Sequence, residues 1–256
     1  MPGSFFMENT SIIIGITGAE GFIGSAFLRW IEMTGEPYRY VVCPRSAFSC
    51  PQEMDRFVTN CNAIVHFAGL SRHEDGEYLL KTNLALTSAL IAALERTGSR
   101  VHVYLASTTH ENRPLPYHES KRKSRELLEQ WADRTGNSFT TLLMPNTFGP
   151  CARPFFNSVI PTFCCLAARG RVPEKIEPAE LKLIHIRTLC RNIFWTVRSD
   201  VSGITSAEFP HEYTVRLDEV WRMLCDWEKQ LLSGKFPQTG SAFEADLLST
   251  YLFYRP

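Results

Sequence analysis

The sequence has no excess of charge of either sign, because 27 Lys and Arg side chains balance 27 Asp and Glu side chains. A balanced chain gives no general attraction to nucleic acid or to an anionic membrane surface. No apolar run approaches the roughly 18 residues that span a bilayer. Residues 1–10 also lack the basic start and apolar core of a secretory signal. We therefore expect a cytoplasmic protein that binds neither nucleic acid nor a membrane.

The cysteines and histidines show neither a disulfide nor a metal-binding pattern. The eight cysteines include no C-x-x-C pair, and several lie in apolar segments, which is typical of reduced core thiols in a cytosolic protein. The seven histidines form no H-x-H or H-x-x-x-H pair. The sequence therefore predicts no metal site.

A glycine-rich turn is the strongest local signal in the chain. Residues 12–24 read IIIGITGAEGFIG, so a β-branched run leads into Thr17-Gly18-x-x-Gly21-x-x-Gly24 and then into an amphipathic pattern. In a dinucleotide-binding turn, Gly18 allows the tight turn, Gly21 lets the pyrophosphate approach and Gly24 lets the helix pack on the strand. A glycine-rich loop without a ligand would leave this spacing unexplained. The segment therefore predicts a dinucleotide site at a helix N-terminus.

Strand-like and helix-like segments alternate up to about residue 145, which indicates a parallel sheet with helices on both faces. The predicted strands are residues 11–16, 40–43, 63–67, 101–106 and 140–144, and the predicted helices are residues 22–33, 52–60, 77–96 and 117–134. About twenty residues separate the second and third strands, so we expect a strand of larger dinucleotide folds to be missing there. Beyond residue 145, prolines interrupt the chain until a helix near Leu217–Leu232.

These patterns predict an α/β protein with a Rossmann-type, doubly wound parallel sheet. We expect residues 1–150 to form an NADP-binding Rossmann domain. We expect residues 151–256 to form a smaller substrate-binding lobe that is interleaved with it rather than independent. A lobe over the carboxyl edge of the sheet would hold a substrate against the cofactor.

Tyr117 and Lys121 are the candidate proton-transfer pair, because a spacing of four at a helix start places both side chains on one face. A neighbouring ammonium favours the phenolate and would lower the tyrosine pKa from about 10. Ser107, Thr108 and Thr109 follow the strand at residues 101–106, so their hydroxyls are expected at the same sheet edge as the glycine turn.

In this order the motifs resemble the extended short-chain dehydrogenase/reductase family, that is, the NAD-dependent epimerase/dehydratase family. They are the glycine turn, residues 66–69 (HFAG), Asn83, the hydroxyl cluster and Tyr117-x-x-x-Lys121. The resemblance implies that Thr108 is the catalytic hydroxyl, with Ser107 as the alternative, and that Tyr117 is the acid/base. It implies that Lys121 binds the nicotinamide ribose and lowers the tyrosine pKa. The cofactor-binding residues that it implies are Gly18, Gly21, Phe22, Ile23, Gly24, Phe67, Ala68, Gly69, Asn83, Ser107, Lys121 and Pro145.

The residues after the second predicted strand favour NADP(H) as the cofactor. Residues 42–46 (VCPRS) contain no carboxylate to hold the ribose 2′-hydroxyl of NAD, whereas Arg45 could pair with the 2′-phosphate of NADP. NAD stays possible, since Arg45 could instead be an exposed loop residue.

A narrower resemblance comes from residues 144–149 (MPNTFG) and 151–154 (CARP). They are similar to the capsular-polysaccharide and O-antigen reductases that act on UDP-linked 4-keto-6-deoxy amino sugars. This implies a nucleotide-sugar substrate, a homodimer, and substrate contacts from Thr108, Asn146, Arg153, Asn157 and His185. Longer members continue into a cupin domain, which we do not expect here. Two positions depart from that branch: Arg187-Thr188 stand where two acidic residues are usual, and Leu143 where an arginine is common.

The leading hypothesis is an NADPH-dependent reductase of a nucleotide-linked 4-keto-6-deoxy sugar. One alternative is an NAD(P)-dependent epimerase or dehydratase, although a dehydratase usually needs an acid pair where this chain offers only Glu111. Another is a non-catalytic dinucleotide sensor, which would often lack the Tyr–Lys pair. For the lobe residues, the alternatives are a surface arginine at Arg153, a helix N-cap at Asn157 and a hydrogen-bonded strand histidine at His185.

Overall fold

The computed structural model describes residues 12–35, 39–176, 178–199 and 201–256. The predicted strand start at Ser11 lies outside these residues. The strands are β1 (Ile13–Thr17), β2 (Arg39–Val42), β3 (Ala63–His66), β4 (His102–Thr108), β5 (Phe139–Met144), β6 (Asn146–Phe148), β7 (Glu180–His185), β8 (Ile204–Glu208) and β9 (Tyr213–Arg216). The helices are α1 (Phe22–Thr34), α2 (Pro51–Thr59), α3 (Gly76–Thr97), α4 (Pro116–Thr135), α5 (Val159–Ala167), α6 (Ile186–Arg198), α7 (Leu217–Leu232) and α8 (Ala242–Tyr254), with a short 3-10 helix at Arg45–Ser49.

The larger sheet has six parallel strands in the order β2-β1-β3-β4-β5-β8. The predicted Rossmann-type class is confirmed, because the strand order reverses at β1, which lies between β2 and β3. Within the described residues β2 is an edge strand. Between β2 and β3 there are only the 3-10 helix and α2, in agreement with the short spacing in the sequence. Ligands of such sheets bind at the carboxyl ends of the strands beside the reversal point.

Apolar layers cover both faces of this sheet. On one face, Phe27 and Ile31 of α1 and Ile193 of α6 pack against Ile14 and Ile16 of β1. The opposite face buries residues of α2, α3 and α4, namely Met54, Phe57, Leu90, Leu94, Leu128 and Trp131. Because both faces are covered, the four central strands β1, β3, β4 and β5 are buried on both sides, as parallel strands usually are, whereas the outer strands β2 and β8 are partly exposed.

A second sheet of three strands, in the order β6-β7-β9, forms the smaller lobe with α5, α7 and α8. Strands β6 and β7 are parallel, and β9 is antiparallel to β7. Between β7 and β9 the chain returns to the larger sheet, where α6 covers one face and β8 pairs with β5. The sequence did not predict α6 or β8, and both lie beyond residue 150.

All eight cysteines fall in the described residues, where none forms a disulfide. Five of them are buried: Cys43, Cys61, Cys164, Cys165 and Cys190. Of the helices in the described ranges, none has the length and apolar character needed to cross a membrane.

Candidate active site

The turn between β1 and α1 packs tightly against the segment that follows β3. Gly18 has a φ of +69°, and a Cβ there would lie 2.6 Å from the backbone nitrogen of Ala68. A Cβ at Gly24 would lie 2.3 Å from the carbonyl oxygen of Gly18. Because neither position has room for a side chain, the first turn of α1 rests directly on the glycine turn.

The N-terminus of α1 offers backbone donors to an anion. Within the described residues no side chain caps this helix, and the first amides of an α-helix have no acceptor in the helix itself. Gly21 is exposed, and a Cβ there would meet only the carbonyl oxygen of Gly18, at 3.3 Å. Phe22 and Ile23, which carry the first amides, are half-buried. This open, donor-rich turn fits the pyrophosphate of a nicotinamide dinucleotide.

His66 ties the end of β3 to the end of β1. The Thr17 hydroxyl lies 2.8 Å from His66 Nδ1 and accepts a hydrogen bond from the Ala68 nitrogen at 3.2 Å. Burial, followed by the charge of Lys121, lowers the pKa of His66 to about 3. The imidazole is therefore neutral, and it holds the Thr17 hydroxyl that accepts from the Ala68 nitrogen rather than exchanging protons.

Asn83 of α3 links the loop after β3 to α4. Its Oδ1 accepts from the Leu70 nitrogen at 2.6 Å, while its Nδ2 donates to the Leu70 carbonyl at 2.9 Å and to Ser120 Oγ at 2.8 Å. A Cβ at Gly69 would lie 3.3 Å from Asn83 Oδ1 and 3.7 Å from Lys121 Nζ. Gly69, Asn83 and Lys121 are therefore neighbours at the carboxyl edge of the sheet.

Tyr117 and Lys121 lie together in the first two turns of α4. Lys121 Nζ lies 5.9 Å from the centroid of the Tyr117 ring and donates to the carbonyl oxygen of Ala106 at 2.8 Å. Burial raises the pKa of Tyr117 to about 12. Burial also lowers the pKa of Lys121 to about 8, although the negative charge of Glu111 acts to raise the lysine pKa. In the protein alone, the tyrosine pKa is therefore raised by burial rather than lowered as predicted, and the ammonium of Lys121 donates to a carbonyl of β4.

The hydroxyls at the end of β4 are not equivalent. Ser107 is buried and donates to the carboxylate of Glu111, which also pairs with Arg125 Nε at 2.8 Å. The half-buried Thr108 hydroxyl accepts from the His110 nitrogen at 3.2 Å and keeps its own proton for another acceptor. Of the two hydroxyls, Thr108 therefore suits the predicted catalytic role better.

Arg45, Pro145 and Asn146 also follow strands that end at this edge. The Cys43 nitrogen donates to the Ile16 carbonyl at 2.9 Å, so the segment with the exposed Arg45 begins beside the end of β1. Pro145 joins β5 to β6, and the exposed Asn146 begins β6. The roles of all three residues stay predictions.

Arg153 and Asn157 lie in the exposed segment before α5. The Arg153 guanidinium carbon lies 4.9 Å from the centroid of the Phe156 ring. Arg72, in the loop after β3, donates to the carbonyl of Phe156 at 2.5 Å and so connects this segment to the larger sheet. The N-cap of α5 is Ser158 rather than Asn157, so the capping alternative for Asn157 is wrong.

His185 lies buried at the end of β7. Its Nδ1 accepts from the Arg187 nitrogen at 3.4 Å, and its Nε2 has no hydrogen-bond partner among the described residues. One ring nitrogen of His185 is thus hydrogen-bonded within the protein, and the substrate contact of this residue stays a prediction. Arg187 pairs with Asp246 at 2.9 Å, and Asp246 also accepts from the Tyr213 hydroxyl at 2.8 Å. The arginine that replaces an acidic residue of the similar branch thus has its counter-ion on α8.

Sequence reasoning missed the hydrogen bonds that join Ser107 to Glu111 and Glu111 to Arg125, and it missed the contact of Arg72 with the segment before α5. Glu111 was considered only as one member of a dehydratase acid pair. It lies in a loop, 14 residues before Arg125, and no helical or strand period links the two positions. The one available signal was the i,i+4 spacing of Arg125 and Glu129 on α4, where the guanidinium and carboxylate are 2.9 Å apart.

Comparison with known proteins decides the family. Residues 14–202 match the model of the NAD dependent epimerase/dehydratase family. The chain belongs to this family. The family's name gives nicotinamide dinucleotide as the cofactor, in agreement with the open glycine turn at the N-terminus of α1.

Two similar proteins confirm the predicted resemblance to the nucleotide-sugar reductases of polysaccharide synthesis. A UDP-2-acetamido-2,6-beta-L-arabino-hexul-4-ose reductase of Pseudomonas aeruginosa is 27% identical over 243 residues, covering 94% of this chain and 64% of the relative. The capsular polysaccharide assembling protein CapF of Staphylococcus aureus is 26% identical with a TM-score of 0.80, covering 96% of this chain and 65% of that one. The chain thus spans just under two thirds of the length of either relative.

The fold is also shared with solved structures of lower sequence identity. The UDP-glucose 4-epimerase of Thermotoga maritima is 16% identical, with a TM-score of 0.76, and the match covers 95% of this chain and 98% of the epimerase. At this level of identity the likeness concerns the fold alone.

Proposed function

We propose that this chain is an NADPH-dependent reductase of a nucleotide-linked 4-keto-6-deoxy sugar. The observation that carries the proposal is the position of Tyr117 and Lys121 at the edge where the glycine turn lies. Lys121 Nζ is 2.8 Å from the carbonyl of Ala106 at the end of β4. It is also 3.7 Å from the point where a Cβ on Gly69 would be. Proton donors and the candidate dinucleotide turn therefore adjoin one another.

The protonation state of Tyr117 suits a reduction. A pKa near 12 keeps the phenol protonated at neutral pH, and a protonated donor is what a ketone oxygen needs as it becomes an alcohol. A bound nicotinamide supplies the hydride for this chemistry. Thr108 orients the same oxygen through its free hydroxyl proton, and the charge of Lys121 stabilises negative charge that develops nearby.

The substrate class is proposed from the relatives and from the lobe. One relative is named as a reductase of a UDP-linked hexul-4-ose, and another as a capsular polysaccharide assembling protein. Arg153 and Asn157 are exposed on the segment before α5, so an arginine fork and an amide are available to a diphosphate. His185 Nε2 is a further polar atom in the lobe that has no partner in the described residues.

NADPH is proposed over NADH because of Arg45. The guanidinium is exposed next to the end of β2, where it can pair with a 2′-phosphate, and residues 42–46 contain no carboxylate. The homodimer and the cytoplasmic location stay predictions.

A dehydratase is disfavoured by the surroundings of Glu111. This carboxylate is buried and holds Ser107 on one side and Arg125 on the other. A free acid beside Thr108 is therefore not available from Glu111.

The test is oxidation of NADPH, followed by absorbance, with UDP-, dTDP- and GDP-linked 4-keto-6-deoxy sugars and with NADH in parallel. Tyr117→Phe removes the proton donor, so turnover should fall by a factor of about 100 or more while NADPH binding persists. Tyr78→Phe is the matched control, because Tyr78 is 52% exposed on α3, and it should keep wild-type activity. Full activity of Tyr117→Phe would contradict the mechanism. No NADPH consumption with any keto sugar, together with co-purifying NAD, would favour an epimerase.

A further inference from the structure

Glu111 is a buried acid that the proposed reaction does not use. It lies in the loop between β4 and α4, and it is only 9% exposed. One carboxylate oxygen accepts from Ser107 Oγ, and the other accepts from Arg125 Nε at 2.8 Å. The side chain therefore spans the distance between the end of β4 and the middle of α4.

Glu111 belongs to a network of two carboxylates and one guanidinium. Arg125 pairs with Glu111 and also with Glu129, at 2.9 Å, so two carboxylates share one guanidinium. Burying a charge costs several kcal/mol unless it is paired. Glu129 is partly exposed to solvent, whereas Glu111 is buried, so the negative charge of Glu111 acts on the buried groups around it.

The nearby group that this charge can stabilise is the ammonium of Lys121. Consecutive residues of β4 hold the two charges, because Lys121 donates to the Ala106 carbonyl at 2.8 Å and Ser107 donates to Glu111. The other titratable neighbours of Lys121 are His66 from β3 and Tyr117 from its own helix. At neutral pH, His66 is uncharged because its pKa is about 3, and Tyr117 is uncharged because its pKa is about 12. Of the three, Glu111 thus supplies the negative charge.

Burial and Glu111 act on Lys121 in opposite directions. Desolvation lowers the lysine pKa to about 8, and the attraction of Glu111 resists this fall. Without the carboxylate, the amine would lose its proton in the range where the enzyme works. A neutral amine would neither stabilise a developing negative charge nor favour proton release from Tyr117.

We propose that Glu111 is a positioning residue of the active site, which holds the Ser107 hydroxyl next to Thr108 and keeps the buried Lys121 ammonium charged. The link to turnover rests on the proposed reductase function. The link to the charge of Lys121 does not, so the two can be tested separately.

The first experiment measures the charge of Lys121 in the protein alone. The protein is labelled with ¹³Cε-lysine, and the seven lysine signals are followed by NMR from about pH 6 to about pH 11, a range that brackets buried and exposed lysines. Lys121→Arg identifies the signal of interest. In Glu111→Gln, which retains hydrogen-bonding capacity for Ser107, the pKa of Lys121 should fall by about one unit.

Glu126→Gln is the matched control. It removes a carboxylate from the helix that carries Lys121, but Glu126 is 42% exposed and pairs with Arg122 in solvent. Its effect on Lys121 should be within error, since solvent screens exposed charges. A Lys121 titration that is the same in Glu111→Gln as in the wild type would overturn the proposal, as would an equal fall in Glu126→Gln.

If Glu111→Gln does not fold, the same NMR titration is carried out on Arg125→Met. This variant removes the guanidinium that compensates Glu111, so the proposal expects the Lys121 pKa to rise. An unchanged or lower value would overturn it.

The second experiment is the pH profile of kcat/KM for NADPH-dependent turnover. In Glu111→Gln the alkaline limb should move to lower pH by the same amount as the NMR titration, and a limb that stays in place would overturn the link to turnover. If no keto sugar is turned over but the NMR shift is found, the reductase function fails and the assignment of Glu111 to Lys121 stands.

Discussion

His66 provides a quantitative test of how the candidate cofactor turn is built. The side chain is 1% exposed, and its Nδ1 lies 2.8 Å from the Thr17 hydroxyl. Burial, reinforced by Lys121, lowers its pKa to about 3, whereas histidine in an unfolded chain has a pKa of about 6.5. Between these values the unfolded state binds a proton that the folded state does not. The contribution of neutral His66 is therefore fully present above pH 6.5 and is lost as the pH falls toward 3.

The size of the effect follows from these two values. At pH 5 the unfolded imidazole is almost fully protonated, which favours unfolding by about 2 kcal/mol relative to pH 7.5. This free-energy difference hardly depends on the pKa of His66 in the folded state, provided that this pKa stays below about 4. His66→Gln removes the titrating group. Between pH 7.5 and pH 5, the free energy of unfolding of the variant should therefore fall by about 2 kcal/mol less than that of the wild type, whatever the stability of the variant at pH 7.5.

The assay is urea unfolding at pH 7.5 and pH 5, monitored through the fluorescence of the five tryptophans. Other groups also contribute, since the pKa values of His110 and His118 are lowered by partial burial, so the quantity of interest is the difference between wild type and variant. His211→Gln, at an exposed position, should follow the wild type. If His66→Gln and the wild type lose the same stability, the imidazole titrates alike in both states and the neutral His66–Thr17 contact is refuted.

Two further variants test the site. Asn83→Ala removes three hydrogen bonds to Leu70 and Ser120, so it should lower the free energy of unfolding, measured in urea, by about 2–4 kcal/mol. The control Thr87→Val removes one interhelical hydrogen bond a turn later and should lower it by about 1 kcal/mol. Equal losses would contradict the special role of Asn83. Arg45→Ala should reduce the preference for NADPH over NADH about tenfold or more in fluorescence titrations, because a charge-assisted contact to the 2′-phosphate is lost, and an unchanged ratio would remove Arg45 from the cofactor site.

Local signals account for the parts of the fold that the sequence predicted. The β-branched run before Gly18 and the apolar period after Gly24 fix β1 and α1 without reference to the rest of the chain. Strand β8 is different, because its five residues, ITSAE, alternate between exposed and half-buried positions and include no long apolar run. Its place is set by pairing with β5, in which Phe139 aligns with Ile204. A contact between positions 65 residues apart leaves no local pattern, so β8 could not be predicted. Helix α6 does carry a local signal that the sequence reading missed, because its buried residues recur at helical spacing: Ile186, Leu189, Cys190, Ile193, Phe194 and Val197.

The same distinction applies to the site. Tyr117 and Lys121 could be found because one helix carries both at a spacing of four. Glu111 and Ser107 could not be paired in this way, because the carboxylate reaches back from a loop to the end of β4. The partner of Arg187 was likewise out of reach, since Asp246 lies 59 residues later on α8. Side-chain pairs that join different elements depend on the final packing rather than on any period in the sequence.

The pKa of Tyr117 shows where a correct residue pair can still give a wrong charge state. Spacing places Tyr117 and Lys121 on one helix face, but it does not determine which atom receives the ammonium. In the structure that atom is the Ala106 carbonyl oxygen, at 2.8 Å, and burial raises the pKa of the phenol. A phenol that holds its proton can donate it to a ketone oxygen, which is the step that the proposed reduction requires of Tyr117.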